Sequence, residues 1–351
     1  MVETTAVADV LDPLEWVSPL LAAQARYTRE PVTPMHAVYR ENKLTLWKTH
    51  APETSQKVPL LLVPALINRH YILDLNETNS LCRALSDKGY EVYLVDWGTP
   101  GPEDRWQTFA EVIEGPMHRM VRKVTRLHKG QAPVLFGYCL GGILSMIYAS
   151  CFPDRVSGLI AMTAPVDFSK AGYMALWTEK KHLDPQGLVA AMGNVPPELI
   201  QNGFVSLKPA QFFKKWRTAW QRQDSAAFLE GFFTVENWVN DNIPFPGQTW
   251  AEYIQWLYQE NRLYHDELWI GAHHASLSKI QCPVLSILAE TDHIVPPESA
   301  QPLHEMAGSK DKTCLTLPGG HVGIIASGKV FPQLVESVDS WLDKRAEVFT
   351  R

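Results

Sequence analysis

Residues 133–152 read PVLFGYCLGGILSMIYASCF, and the interpretation of this stretch decides the fold. A short apolar run opening on a proline is followed, after a glycine-rich step, by a longer apolar run without breakers. A strand, one sharp turn and a helix is the resulting prediction. The step itself, Gly137-Tyr138-Cys139-Leu140-Gly141, has the form glycine, any residue, nucleophile, any residue, glycine. A chain turning that abruptly from strand into helix needs glycines where a Cβ would collide, and it leaves the central side chain exposed above the sheet. That side chain is a cysteine at a helix N-terminus, where unpaired N–H groups favour negative charge. Most lone cysteines are small buried hydrophobes, but the strand, turn and helix around Cys139 mark it as a nucleophile.

Outward from this turn, similar runs recur at 58–66 (VPLLLVPAL), 91–97 (EVYLVDW), 157–165 (SGLIAMTAP), 283–290 (PVLSILAE) and 312–318 (KTCLTLP). Unbroken apolar runs suit parallel strands buried on both faces. Helical patterns at 76–88, 107–128, 142–151 and 331–346 separate them, and residues 36–50 alternate partly about Glu41 and Asn42 as a hairpin would. The prediction is a doubly wound, mostly parallel α/β sheet of the α/β-hydrolase kind.

The alternation stops between residues 166 and 270, which hold seven of the chain's twelve tryptophans in helical patterns and no further strand candidate. We expect a core formed by 1–165 and 271–351, with 166–270 inserted as a helical cap. A cap at the C-terminal edge of the sheet sits over the site. Most of its aromatics should fill its own interior and a minority should line a substrate channel.

A cysteine nucleophile needs a base, and the base needs an orienting acid. In this turn family they follow in the order nucleophile, acid, histidine. Asp292 comes directly after the run at 283–290, and His321 lies in GGHVG after the run at 312–318. Both are loops at strand ends where an open α/β sheet gathers its site. His321 is assigned as the base and Asp292 as the group that fixes its tautomer. The oxyanion donors are expected to be the N–H of Leu140 and one from the loop in VPALIN, with Leu66 favoured and Ile67 as its neighbour. His293 is either a polar loop residue or a second proton-handling group, and His273 and His274 read as exposed loop residues.

A formal charge of −6 gives no reason to expect a nucleic acid or an anionic membrane as partner. The N-terminus carries early acids and no signal-peptide pattern, no apolar run reaches membrane-spanning length, and five cysteines without C-x-x-C spacing fit a reducing cytosol. GIIASGKV (323–330) approximates a phosphate loop but has Val330 in place of the magnesium-binding hydroxyl and lacks the preceding strand. We expect no nucleotide there, no metal and no cofactor.

Taken together, VPLLLVPALINRHYILDL, YLVDWGTPGPED, GYCLGG, NIPFPG, TDHIVPP and GGHVGIIASGK resemble the catalytic subunit of polyhydroxyalkanoate synthases, of the short kind found in two-subunit enzymes. The resemblance runs from about residue 40 to the C-terminus. It implies that Cys139, Asp292 and His321 are the catalytic residues, that the substrate is an (R)-3-hydroxyacyl-CoA, and that the product is a growing polyester chain on cytoplasmic granules. It also implies a second synthase subunit and homodimer contacts. It accounts for the cysteine: exchanging one thioester for another keeps the acyl group activated for attack by an alcohol. The alternative is a cysteine hydrolase of the dienelactone hydrolase or thioesterase type; the 105 residues of the insertion speak against the dienelactone hydrolase type.

Overall fold

The computed structural model describes residues 32–50 and 57–349. Its centre is an eight-stranded sheet formed by β1 (Met35–Glu41), β2 (Leu44–Thr49), β3 (Leu60–Val63), β4 (Val92–Asp96), β5 (Val134–Tyr138), β6 (Gly158–Met162), β9 (Val284–Ala289) and β10 (Lys312–Leu317). The order across the sheet is β1-β2-β4-β3-β5-β6-β9-β10. From β4 to β10 neighbouring strands run parallel, and β1 and β2 add an antiparallel hairpin at one edge. Every residue of β3, β5, β6 and β9 is buried, which is why these strands read as unbroken apolar runs. Side chains alternate between two cores, so that Leu135 and Ala161 face one and Phe136 and Ile160 the other.

Helices cover both faces. On one side lie α1 (Leu81–Asp87), whose first turn is capped by Ser80 accepting from the Arg83 N–H at 2.9 Å, and α11 (Phe331–Asp343). On the other lie α2 (Phe109–Val112), α3 (His118–Leu127) and α4 (Leu140–Cys151). The sequence predicts one helix over 107–128. The structure instead opens into a wider turn at Ile113–Met117, because Pro116 has no N–H to donate and clashes with the preceding turn.

Between β6 and β9 the chain forms α5 (Gly172–Trp177), α6 (Pro185–Met192), α7 (Pro197–Leu207), α8 (Pro209–Gln221), α9 (Ala226–Asn240) and α10 (Gly247–Glu252). A wide π-type turn, Tyr253–Gln259, continues α10. A two-residue hairpin of β7 (Trp269–Ile270) and β8 (His273–His274) closes the segment, where the sequence predicted loop. Accordingly, His273 and His274 are half-buried: His273 packs its ring 4.6 Å from Phe152, and His274 Nε2 lies 2.7 Å from the Asp266 carbonyl oxygen. No helix among the described residues is long and apolar enough to cross a membrane, and none of the five cysteines is paired.

Candidate active site

The turn after β5 is tight enough to force its own composition. A Cβ on Gly141 would land on the Val63 carbonyl oxygen, and one on Gly137 would land on the backbone of Gly141 and Gly142. Cys139, between them, has φ 56° and ψ −124°, a conformation that side chains rarely adopt and that persists only where the surroundings impose it. Its N–H donates to the Met162 carbonyl at 2.9 Å, and its carbonyl accepts from the Gly142 N–H at 2.8 Å. The strained residue is thereby clamped to β6 on one side and to α4 on the other. The N–H of Leu140 belongs to the first turn of α4, whose donors have no intrahelical partner.

Asp292 and His321 meet beside this cysteine. His321 Nδ1 lies 2.7 Å from Asp292 Oδ2. The other carboxylate oxygen accepts from the N–H groups of Ile294 and Val295, both at 2.9 Å, so the chain's own turn aims the acid. The Tyr138 hydroxyl donates to the His321 carbonyl at 3.2 Å, with ring centroids 5.3 Å apart. The residue preceding the nucleophile thus holds the loop that carries the histidine. Burial of the imidazole works against its charge, but the Asp292 carboxylate and the Cys139 sulfur outweigh it and raise the His321 pKa to about 10. With Nδ1 committed to Asp292, Nε2 is left for the sulfur.

Two cavities meet at Cys139. The larger, about 360 Å³, is bounded by the loop at 67–69, α7, α9 and the loop after β9. Its lining is largely apolar, with Trp238 and Phe204, but Arg69, Lys208 and Lys215 bring positive charge. Lys215 is paired with Glu236 at 2.7 Å, whereas Lys208 is exposed and has no ion-pair partner among the described residues. His293 lines the same cavity, and burial followed by the nearby Lys208 lowers its pKa. The smaller cavity, about 70 Å³, lies between Cys139 and the turn that carries Tyr253 and Tyr258. Of the seven insertion tryptophans, Trp238 and Trp250 line these cavities. Trp177 and Trp269 are exposed.

Ile67 borders both cavities, whereas Leu66 borders a separate polar pocket with Lys43 and Arg119. The loop bearing Ile67 is tied to the end of α9. Trp238 Nε1 donates to the Arg69 carbonyl at 2.9 Å, the Tyr71 hydroxyl donates to Asp241 at 2.9 Å, and the Asn68 amide donates to Asn242 Oδ1. Neither this tether nor the cationic lining was found from the sequence. Both join residues some 140 to 170 positions apart, and no local pattern announces them. Among the described residues no cluster of three or more metal-ligating side chains exists, and residues 323–330 form a short helix, Gly323–Ala326, and a turn.

Residues 58–326 match the family model described as alpha/beta hydrolase fold. The chain is 36% identical over 319 residues to the poly(3-hydroxyalkanoate) polymerase subunit PhaC of Allochromatium vinosum, covering 90% of this chain and 89% of that one. It is 35% identical to the protein of the same name from Synechocystis sp., covering 89% of this chain and 85% of the relative. It is also 34% identical to the one from Haloferax mediterranei, covering 91% of this chain and 65% of that longer relative. Among solved structures, a soluble variant of monoglyceride lipase from Saccharomyces cerevisiae superposes with a TM-score of 0.59 at 16% identity, covering 92% of this chain and 98% of that chain. At that identity the likeness concerns the fold.

Proposed function

Because the chain belongs to the poly(3-hydroxyalkanoate) polymerase family, enzymes of acyl transfer built on the α/β-hydrolase fold, we propose that it polymerises (R)-3-hydroxyacyl groups from CoA thioesters through a cysteine-bound intermediate. The observation that supports the mechanism is the contact between His321 Nδ1 and Asp292 Oδ2, with the imidazole and the strained Cys139 lining the same cavity. His321 Nε2 takes the thiol proton, and the sulfur attacks the thioester carbonyl. CoA leaves as its thiol after taking the proton back from His321. A chain-end hydroxyl then attacks the acyl-cysteine thioester, giving its proton to His321. The new oxoester forms as Cys139 is released. Each step moves one acyl group and one proton, and the activated bond is kept until an alcohol consumes it.

The oxyanion formed in both steps would be met by the N–H of Leu140 and one from the loop after β3. Cavity lining favours Ile67 over Leu66 for the second. Arg69 and Lys208 suit the phosphates of a CoA donor in the larger cavity, and His293, held neutral there, is placed to handle a second proton. The helices between β6 and β9 act as the cap that limits water at the thioester, since hydrolysis competes at every cycle. Work at the surface of a polyester granule, together with a second subunit and a second copy of the chain, completes this reading. The word subunit in the relatives' names supports the partner.

The test is direct. Purified protein given (R)-3-hydroxybutyryl-CoA should release CoA and form insoluble polyester, and Cys139→Ala should abolish both. Release of free 3-hydroxybutyrate without polymer would replace this reading with a thioesterase.

A further inference from the structure

Tyr138 closes β5 directly before the nucleophile. It is buried and pairs in the sheet with Met162, whose carbonyl accepts from the Cys139 N–H, so this backbone moves only with the strained turn. Its hydroxyl donates to the His321 carbonyl at 3.2 Å, and its ring centroid lies 5.3 Å from that of the imidazole, the two planes 31° apart. One side chain thereby joins the peptide next to the nucleophile to the peptide that carries the base, 183 positions away.

The loop at the far end of that bond has little stiffness of its own. His321 stands in Gly319-Gly320-His321-Val322-Gly323, and Gly319 has φ 108°. A Cβ added at Gly320 or Gly323 would meet no atom closer than 3.6 Å, so packing does not clamp the backbone there. The Thr291 N–H donates to the Gly319 carbonyl at 2.9 Å and the Ile324 N–H to the Gly320 carbonyl at 3.2 Å, which holds the two residues before the histidine. The His321 carbonyl itself is held by Tyr138. Asp292 aims the imidazole, but the ring is only as well placed as the peptide it hangs from, and a misplacement of about 1 Å can cost on the order of 10²-fold in rate. Burial, followed by the charges of Cys139 and Asp292, raises the Tyr138 pKa, so the phenol keeps its proton and remains a donor.

We propose that Tyr138 is a positioning residue for the base: its hydroxyl ties the glycine-rich histidine loop to the strand that ends in the nucleophile, and so sets where the His321 imidazole stands relative to the Cys139 sulfur. It acts through His321 and takes no part in moving the proton. The ring contributes packing that a phenylalanine would keep, so the hydroxyl can be tested by itself. The assignment rests on the acyl-cysteine reading and adds to it how the base is held in register with the nucleophile.

Single-turnover release of CoA from (R)-3-hydroxybutyryl-CoA, measured per folded molecule in wild type, Tyr138→Phe, Asp292→Asn and the double variant, tests it. Tyr138→Phe should lower the maximal rate by about three- to tenfold, the worth of one hydrogen bond, and leave the half-saturating substrate concentration within about twofold. In the Asp292→Asn background, where the imidazole has already lost its orientation, the same change should cost less than about twofold, because two residues that act through one histidine are not additive. A loss by the same factor in both backgrounds, a loss confined to the half-saturating concentration, or no loss at all overturns the assignment while leaving the acyl-cysteine reading intact. Full CoA release by Cys139→Ala overturns that reading and this assignment with it.

Discussion

His321 Nδ1 lies 2.7 Å from Asp292 Oδ2, and Asp292 Oδ1 is held by the N–H groups of Ile294 and Val295. The acid is fixed by backbone on one side, so its other oxygen can dictate the tautomer of the imidazole. Asp292→Asn preserves the shape and offers the wrong partner to Nδ1. CoA release per folded molecule should fall by about 10²- to 10⁴-fold, by analogy with the loss of the acid in hydrolase triads, and the unfolding midpoint should fall as well, since the buried imidazolium loses its counter-charge. Rate and midpoint measured on the same preparation check this, and a loss below about tenfold would remove Asp292 from the mechanism.

The raised pKa of His321 also has a consequence for stability. Folding favours the protonated imidazole, so the contribution of His321 is fully present below its ordinary pKa of 6.5 and is lost as pH rises towards about 10. Denaturant unfolding of wild type and His321→Gln across pH 6 to 10 should show the difference between them shrinking as pH rises. A difference that widens with pH contradicts the charge state assigned here.

The elbow tolerates no side chain at Gly141, where a Cβ would overlap the Val63 carbonyl. Relief requires moving either the end of β3 or the start of α4, which flank the two N–H groups proposed to meet the oxyanion. Gly141→Ala should therefore lose about 1–3 kcal/mol of stability or more, the cost of overpacking where nothing can give way, and any folded fraction should be inactive. Urea unfolding checks the first expectation, and CoA release per folded molecule checks the second.

How much of this was legible beforehand follows from which interactions are local. β3, β5, β6 and β9 show in the sequence because each is buried on both faces, and the elbow shows because its glycines are sterically forced. Asp292 and His321 could be chosen because the sheet gathers loops at the ends of β9 and β10. By contrast, the choice between Leu66 and Ile67 depends on the path of a loop, which neighbouring residues do not encode. The Tyr253 and Tyr258 pair was hidden for another reason: an assumed α-helical period separates residues that the π-type turn brings together. The hairpin at Trp269–His274 is too short to leave a period of its own.

The tether between α9 and the loop after β3 leads to the last prediction. Asn242 accepts from the Asn68 amide through Oδ1, and its own amide donates to Gln201 at 3.1 Å and to the Val239 carbonyl at 2.7 Å. It therefore links α7, α9 and the loop that carries Ile67. An oxyanion donor acts on charge that exists only in the transition state, so loosening its loop should reduce kcat more than it raises KM. Removing a donor outright typically costs about 10²- to 10³-fold in rate, and a loop that is only loosened should lose less, about tenfold for Asn242→Ala. Asn242→Asp keeps the oxygen that Asn68 donates to but sets a carboxylate oxygen against the Val239 carbonyl, so it should recover only part of that loss. If Asn242→Ala instead raises KM alone, or lowers kcat only in proportion to a fall in the folded fraction, then Asn242 is holding the cap together and has no part in placing the Ile67 N–H.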